Sequence, residues 1–167
     1  MRKRMFISVL LIALFIISIY LFLNKLILTR FYTTHFVLDY SKDFEIVSKS
    51  DDNIILTTLD DSVLQIRADK YKKSKKNMAK EEIYRELEKQ FHEKNPKFSL
   101  INHGNTVIGK DYVDSYEFLY ETSEQQMLYI LTIKDNYILR VIFTAKNKIY
   151  DIDLNKSYSI INSIELR

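Results

Sequence analysis

The sequence predicts an α+β fold in which an N-terminal transmembrane helix is followed by an antiparallel β-sheet covered by two helices. Three observations lead to this prediction. Residues 5–23 form one apolar run without a charge, two later segments repeat apolar residues at helical spacing, and the stretches between them alternate apolar and polar residues. The chain of 167 residues therefore divides into residues 1–30, a basic tip with a signal-anchor helix, and residues 31–167, one α+β domain.

The first segment predicts a single membrane-spanning anchor. Met5–Leu23 contains nineteen uncharged residues, and a helix of that length spans roughly 28 Å, close to the hydrocarbon core of a bilayer. Three basic residues precede this run and two follow it. The positive-inside rule then places the N-terminus in the cytoplasm and the C-terminal domain outside a cell membrane that the chain crosses once.

Two other N-terminal segments fit the sequence less well. A cleaved signal peptide has a shorter apolar core followed by small residues at its cleavage site, whereas Phe22–Leu28 contains no small residue. A type IV pilin-like subunit requires a Gly before its cleavage point and a Glu early in the apolar run, and residues 1–30 contain neither.

Composition excludes several classes of site. The chain has no cysteine and only two glycines, which excludes disulfides, thiolate metal sites, a lipid-bearing cysteine and a glycine-rich phosphate-binding loop. Its formal charge of +3 comes from the N-terminus, because residues 31–167 carry twenty basic residues against 22 acidic ones.

The outer domain is predicted to begin with a hairpin. Residues 39–43 are a turn-rich start, and two β-rich runs follow, Asn53–Leu59 and Ser62–Ala68, separated by Asp60 and Asp61. In the second run Leu64, Ile66 and Ala68 are expected to share an apolar face, because side chains alternate along a strand.

The first helix of the domain is predicted over Asn77–Lys94. Apolar residues recur there at every fourth position from Ala79 to Phe91, Asn77 is the expected N-cap, and Pro96 marks the end.

A run of antiparallel strands and a closing helix are predicted after it. Tyr137–Thr144 is the most uniformly apolar strand and is expected to be central. The closing helix covers Asp151–Ile164. The other expected strands are Ser99–Asn102, Val107–Lys110, Tyr112–Glu121 and Gln126–Lys134.

This order of elements resembles the PsbP-like superfamily, which includes the extrinsic photosystem II subunit and bacterial envelope proteins of the DcrB type. The similarity covers about residues 36–166 and rests on S-V-L-Q-I in the hairpin, Y-x-F-x-Y at 116–120, Y-I-L-R-V-I-F-T-A at 137–145 and I-I-N-S-I at 160–164. The Pro-x-Gly-Trp element frequent in the superfamily is replaced by Phe44–Val47. The resemblance implies an extracytoplasmic accessory or scaffold domain without catalysis, and it carries over no catalytic residue.

The candidate binding residues form a basic segment, residues 67–80, where seven basic residues stand against one acid, Asp69. Such a segment either contacts an anionic partner, such as an envelope protein or an anionic wall polymer, or is an ordinary solvated connection. Nucleic acid is disfavoured, because the segment is expected outside the membrane and offers only Tyr71 for stacking. The candidate contacts are Arg67, Lys70, Lys72, Lys73, Lys75, Lys76 and Lys80.

No catalytic residue, cofactor or metal site is predicted. The three histidines are expected to be scattered over a strand, a helix and a turn, His103 occupying the turn. Asp151–Asn155 copies the opening of a calcium loop, but Lys156 and Asn162 stand where a Gly and a bidentate Glu are required, and helix N-capping by the same carboxylates explains the spacing. The alternative is an envelope enzyme or metal-binding protein with a site in the outer domain.

Overall fold

The computed structural model describes residues 14–18, 28–71 and 79–167, of which the latter two ranges hold ten strands and two helices. Residues 14–18 are a helical stretch with exposed side chains. The helices are α1 (Lys80–Lys94) and α2 (Tyr150–Ile161). The strands are β1 (Thr29–Tyr32), β2 (Phe36–Tyr40), β3 (Glu45–Ser50), β4 (Asn53–Thr57), β5 (Val63–Lys70), β6 (Ser99–Ile108), β7 (Val113–Glu121), β8 (Gln125–Lys134), β9 (Tyr137–Lys146) and β10 (Glu165–Leu166).

Seven strands form one antiparallel sheet in the order β3-β4-β5-β9-β8-β7-β6. The strands β3 to β5 are one meander, and β6 to β9 are another. The pairing of β5 with β9, from Val63 opposite Thr144 to Lys70 opposite Tyr137, joins the two meanders at a seam. Strand β9 is the middle strand, which confirms the expectation drawn from its apolar sequence.

Each face of the large sheet has its own core. On one face, Leu64, Val141 and Phe143 pack with Ile160 and Ile161 of α2. The second, smaller sheet, in the order β1-β2-β10, covers the same face through apolar residues of β2. The sheet is thus buried on one side by a helix together with a short sheet, which is the reason its alternate residues are apolar.

The opposite face is covered by α1. Ile83, Tyr84 and Leu87 of this helix pack against aromatic residues of β7 and β8, including Phe118 and Tyr129. The spacing of the three helical residues places them on one side of α1, as the repeat in the sequence predicts.

The predicted hairpin, the strands β7 to β9 and both helices are confirmed, with changes at their ends. Helix α1 begins after Ala79, which makes no side-chain capping bond, and the predicted N-cap Asn77 lies outside the described residues. Helix α2 ends at Ile161 rather than Ile164. The predicted strands 99–102 and 107–110 are one strand, β6, because residues 99–108 pair with β7 along almost their whole length.

Strands β2, β3 and β10 differ from the sequence-based expectation. The turn-rich start expected at residues 39–43 includes the last two residues of β2, and no strand was predicted at the positions of β3 or β10, which follow that start and the predicted closing helix. Strand β2 pairs with β1 on one side and with β10 on the other. Pairing between residues near 37 and near 165 is a long-range contact that local sequence does not encode.

The predicted anchor, residues 5–23, lies outside the described residues except for its stretch 14–18. Within the ranges 14–18, 28–71 and 79–167, no helix combines the length and the apolar character needed to cross a bilayer.

Candidate binding surfaces

The structure describes three of the seven residues predicted to contact an anionic partner. Arg67 and Lys70 lie on β5 and Lys80 is the first residue of α1, all with exposed side chains. They therefore flank the connection from the seam of the sheet to the helix. The remaining four candidates, Lys72, Lys73, Lys75 and Lys76, lie outside the described residues.

The one acidic residue of the basic segment, Asp69, is engaged by two arginines. Arg67 Nη2 lies 2.5 Å from Asp69 Oδ1, and Arg140 Nε lies 2.9 Å from Asp69 Oδ2. Arg67 and Arg140 are partners in the register of β5 and β9, so their guanidinium groups approach the same carboxylate from adjacent strands. Two positive charges around one negative charge leave this group of three with a net positive charge.

Arg140 is a residue that sequence reasoning missed. Its guanidinium also donates a 3.0 Å hydrogen bond from Nη1 to the hydroxyl of Tyr129. Burial raises the pKa of Tyr129, and the nearby Arg140 charge opposes that rise. The alternation of β9 could have shown that Arg140 faces away from Val141, but its position opposite Arg67 depends on the register of two strands far apart in sequence.

A cleft of about 250 Å³ lies between α2 and the strands β6 to β8. Its walls include Glu117, Leu119, Tyr150 and Tyr158. Burial raises the pKa of Glu117, although a hydrogen bond from Thr106 opposes the rise. Burial also raises the pKa values of both tyrosines. The cleft is smaller than most small-molecule sites, which enclose roughly 300–1,000 Å³.

The histidines do not converge on a common site. His35 lies in the turn between β1 and β2 rather than in the predicted strand, and His92 lies on α1, as predicted, with an exposed side chain. His103 lies within β6 rather than in the predicted turn, and its Nδ1 is 2.7 Å from the hydroxyl of Tyr116. Across residues 28–71 and 79–167, no group of three His, Asp or Glu side chains is arranged to hold a metal ion.

The calcium-like sequence Asp151–Asn155 belongs to α2, where it makes contacts of a different kind. Asp153 is fully buried, and its carboxylate accepts hydrogen bonds from Ser62, Thr58 and Lys156 at 2.6, 3.1 and 2.6 Å. The residue before the helix, Ile149, makes no side-chain capping bond. The N-capping proposed from the sequence was therefore wrong, because the Asp153 carboxylate reaches the β4–β5 turn instead.

Comparison with known proteins identifies the fold. No protein family model matches this sequence, and no curated protein matches it. The chain is similar to the solution structure of cyanobacterial PsbP (CyanoP) from Synechocystis sp. PCC 6803, with a TM-score of 0.62 and 13% sequence identity over 84% of this chain and 92% of that chain. A crystal structure from Bacteroides thetaiotaomicron VPI-5482 aligns with a TM-score of 0.39 and 15% identity over 79% of this chain and 45% of that chain.

The likeness to cyanobacterial PsbP establishes a PsbP-like, sheet-rich α+β fold. This confirms the fold that the sequence resemblance implied. At 13% identity the likeness concerns the fold alone, since one fold supports many functions.

Proposed function

We propose that this chain is a membrane-anchored, extracytoplasmic binding or scaffold protein of the bacterial cell envelope, and that its basic segment contacts an anionic wall polymer. The PsbP-like fold is compatible with a binding domain that performs no catalysis. The anchor is proposed from the apolar run at residues 5–23, and the orientation from the basic residues that precede it.

The arrangement around Asp69 carries the proposal for the basic segment. A carboxylate that faced the lysines would neutralise part of their charge. Asp69 is instead held by Arg67 and Arg140 on the sheet, and the flanking residues Lys70 and Lys80 are exposed. The exposed Lys70 and Lys80 can therefore contact an anionic partner, and we propose the same role for the lysines between them, each contributing about 1 kcal/mol near an anionic surface.

Charge reversal of the lysines tests this proposal. The full chain in a neutral detergent is applied to immobilised poly(glycerol phosphate), and retention is measured at rising salt. Reversing Lys72, Lys73, Lys75 and Lys76 to Glu is expected to weaken retention by about a thousand-fold, since four such contacts contribute about 4 kcal/mol. Retention of the native chain should itself fall as salt screens the charges.

A matched control separates this segment from net charge. Lys49, Lys89, Lys94 and Lys148 are exposed and lie outside the basic segment. Reversing these four lysines changes the net charge by the same amount and should leave most of the retention intact. Equal losses in both variants would contradict a specific role for the basic segment.

The orientation is tested separately with a reporter fused after Arg167. A reporter that is active only outside the cytoplasm, such as an alkaline phosphatase, is expected to be active. Activity of a reporter that works only in the cytoplasm would contradict the proposed topology.

A further inference from the structure

The outer edge of β6 is an unprotected strand edge. In the described part of the chain, β6 is the last strand of the large sheet and has a neighbour, β7, on one side only. Its residues 99–108 read S-L-I-N-H-G-N-T-V-I and contain no proline and no charged Asp, Glu, Lys or Arg. Proteins usually protect such edges with these residues, because the free backbone groups of an edge strand can pair with another strand.

The other edge of the same sheet is protected. Strand β3 carries Glu45 and Lys49, and a register shift between Ile46 and Ser48 interrupts its pairing with β4. Charges and bulges of this kind discourage pairing with another chain. Strand β6 also has a register shift, between Leu100 and Asn102, but it lies near the start of the strand and leaves an uncharged stretch of regular pairing after it. The two edges therefore differ in charge, and β6 is the edge suited to strand addition.

Gly104, in the middle of β6, has no evident role within the monomer. A Cβ atom built on Gly104 meets nothing within 4 Å, and its backbone is not among those with positive φ. A glycine inside a strand weakens the strand and often marks a place where another backbone approaches closely. The open space at Gly104 lies above the sheet face, where a side chain would stand, so nothing there hinders close approach of a second backbone, and the edge itself is free because β7 is the one neighbour of β6 in the described sheet.

The sequence of β6 is complementary to itself about Gly104. If a second copy pairs antiparallel with Gly104 opposite Gly104, Asn102 lies opposite Thr106 and His103 opposite Asn105. Ile101, which stands at the register shift, and Val107 flank these pairs, and both apolar side chains are 47% exposed in the monomer. Polar residues therefore meet polar ones, and at each end of a symmetric pair Ile101 of one copy lies near Val107 of the other.

The contacts of β6 leave this edge free except at His103, whose backbone N–H donates a 2.8 Å hydrogen bond to Asn102 Oδ1. The imidazole of His103 bonds to the Tyr116 hydroxyl and stacks on the Tyr116 ring, so it is held over the neighbouring strand β7. The register shift between Leu100 and Asn102 bounds the regular part of β6 at one end. The regular stretch that remains is centred close to Gly104.

We propose that two copies of this chain associate through β6, in antiparallel register about Gly104, and so join their large sheets into one continuous sheet. The regular pairs run from Asn102 to Thr106. An interface of this length is smaller than the roughly 1,200–2,000 Å² that stable complexes bury. The association is accordingly expected to be reversible and to depend on concentration.

Cysteine cross-linking tests the register directly, because the natural chain contains no cysteine. The full chain is purified in detergent, oxidised mildly, and examined for disulfide-linked dimers. Gly104→Cys should form dimers readily, since residues directly opposite in antiparallel strands have Cβ atoms about 4.5–5.5 Å apart. Asn102→Cys should form few, since its counterpart lies opposite residue 106, roughly 13 Å away along the strand.

A double variant and a surface control complete the test. Asn102→Cys combined with Thr106→Cys should restore dimers, because the two positions face each other, and it keeps Gly104 intact. Leu59→Cys, at a position 90% exposed in the β4–β5 turn, gives the level expected from random collision. If Gly104→Cys and the double variant form no more dimer than Leu59→Cys, or if Asn102→Cys links as readily as Gly104→Cys, the proposal is wrong.

A charged residue at position 104, where the two copies meet at the two-fold axis of the proposed dimer, provides a test that needs no oxidation. Gly104→Lys would place two lysines opposite each other and should shift sedimentation of the full chain from dimer towards monomer. The circular dichroism spectrum should stay unchanged, because the new Cβ meets no neighbour. This result is independent of retention on poly(glycerol phosphate), so either proposal can fail alone.

Discussion

The Ser62 hydroxyl donates a 2.6 Å hydrogen bond to Asp153, a residue 91 positions further along the chain. Both residues are buried. The bond joins the turn between β4 and β5 to the first turn of α2, and the Thr58 hydroxyl donates a second bond to the same carboxylate oxygen. Asp153 therefore fixes helix α2 against one end of the sheet.

Replacing Asp153 with Asn should destabilise the domain. The amide has nearly the same shape, but it weakens the bonds from Ser62 and Thr58 and loses the ion pair with Lys156. Because bonds to a charged group contribute about 1.5–3 kcal/mol each, we expect a loss of about 2–3 kcal/mol in the free energy of unfolding. Urea denaturation of the full chain in detergent measures it.

Asp151 provides the matched control for that substitution. It lies in the same first turn of α2 but is exposed. Asp151→Asn removes the same charge from the helix N-terminus and should cost at most about 1 kcal/mol. Equal costs for the two variants would show that Asp153 contributes only as a helix charge.

The same carboxylate should make the domain sensitive to acid. Burial acts to raise the pKa of Asp153, but the bonds from Lys156, Ser62 and Thr58 outweigh it and lower the pKa below 3.8. A lowered folded-state pKa means that this stabilisation is complete above pH 3.8 and is lost as pH falls through the folded value. The stability difference between the native chain and Asp153→Asn should therefore shrink below about pH 4. A difference that stays constant would contradict this linkage.

Gly109 should not tolerate a side chain. Its φ is +74°, and a Cβ atom built there lies 2.4 Å from the carbonyl oxygen of Ile164. We expect Gly109→Ala to lower the free energy of unfolding by more than about 2 kcal/mol, because backbone strain and a steric clash add. Thermal unfolding at low protein concentration measures the effect.

Gly104→Ala is the control for the glycine substitution. Its new Cβ meets no atom within 4 Å, so the change should be neutral or stabilise by up to about 1 kcal/mol, as expected where alanine fits without strain. If Gly104→Ala lowered the free energy of unfolding as much as Gly109→Ala, the steric clash inferred at Gly109 alone would be contradicted.

Alkaline pH should weaken the domain through Tyr137. Burial, with a smaller contribution from Asp135, raises the pKa of Tyr137 from 10 to about 12. Its hydroxyl lies 3.1 Å from the carbonyl of His35 and 3.0 Å from that of Arg167. A raised folded-state pKa means that the stabilisation is complete below pH 10 and is lost as pH rises towards 12.

Tyr137→Phe isolates this contribution. The variant should be less stable by about 1 kcal/mol at neutral pH, because it lacks the hydroxyl bond. Its deficit should narrow between about pH 10 and pH 12, where the native tyrosine ionises. Urea denaturation over that range measures the deficit, and an unchanged deficit would argue against ionisation of Tyr137.

The sequence predicted those elements whose signal lies within one short segment of the chain. The hairpin of β4 and β5, helix α1 and the central position of β9 follow from alternation, helical spacing and apolar content. Strand β10 has two residues and depends on β2 for its pairing, so no local pattern identifies it. His103 and Gly104 favour a turn locally, yet pairing with β7 holds both in a strand.

The candidate site was predictable to a smaller extent. The clustering of the lysines is visible in the sequence, and their contact with a partner stays a prediction. The engagement of Asp69 by Arg140 was not predictable, because it depends on which residue of β9 lies opposite Arg67. A shift of one residue in that register would place Arg140 on a different neighbour.

The seam between β5 and β9 also has a consequence for the order of folding. All other neighbours in the large sheet are consecutive in the chain and can pair through short turns, whereas β5 meets β9 only after the chain has travelled from Lys70 to Tyr137. Closing so long a loop costs conformational entropy, and this cost comes before the contacts between β5 and β9 can offset it. We therefore expect the seam to be the last pairing of the large sheet to form, so that β5 and β9 remain open strand edges until it closes.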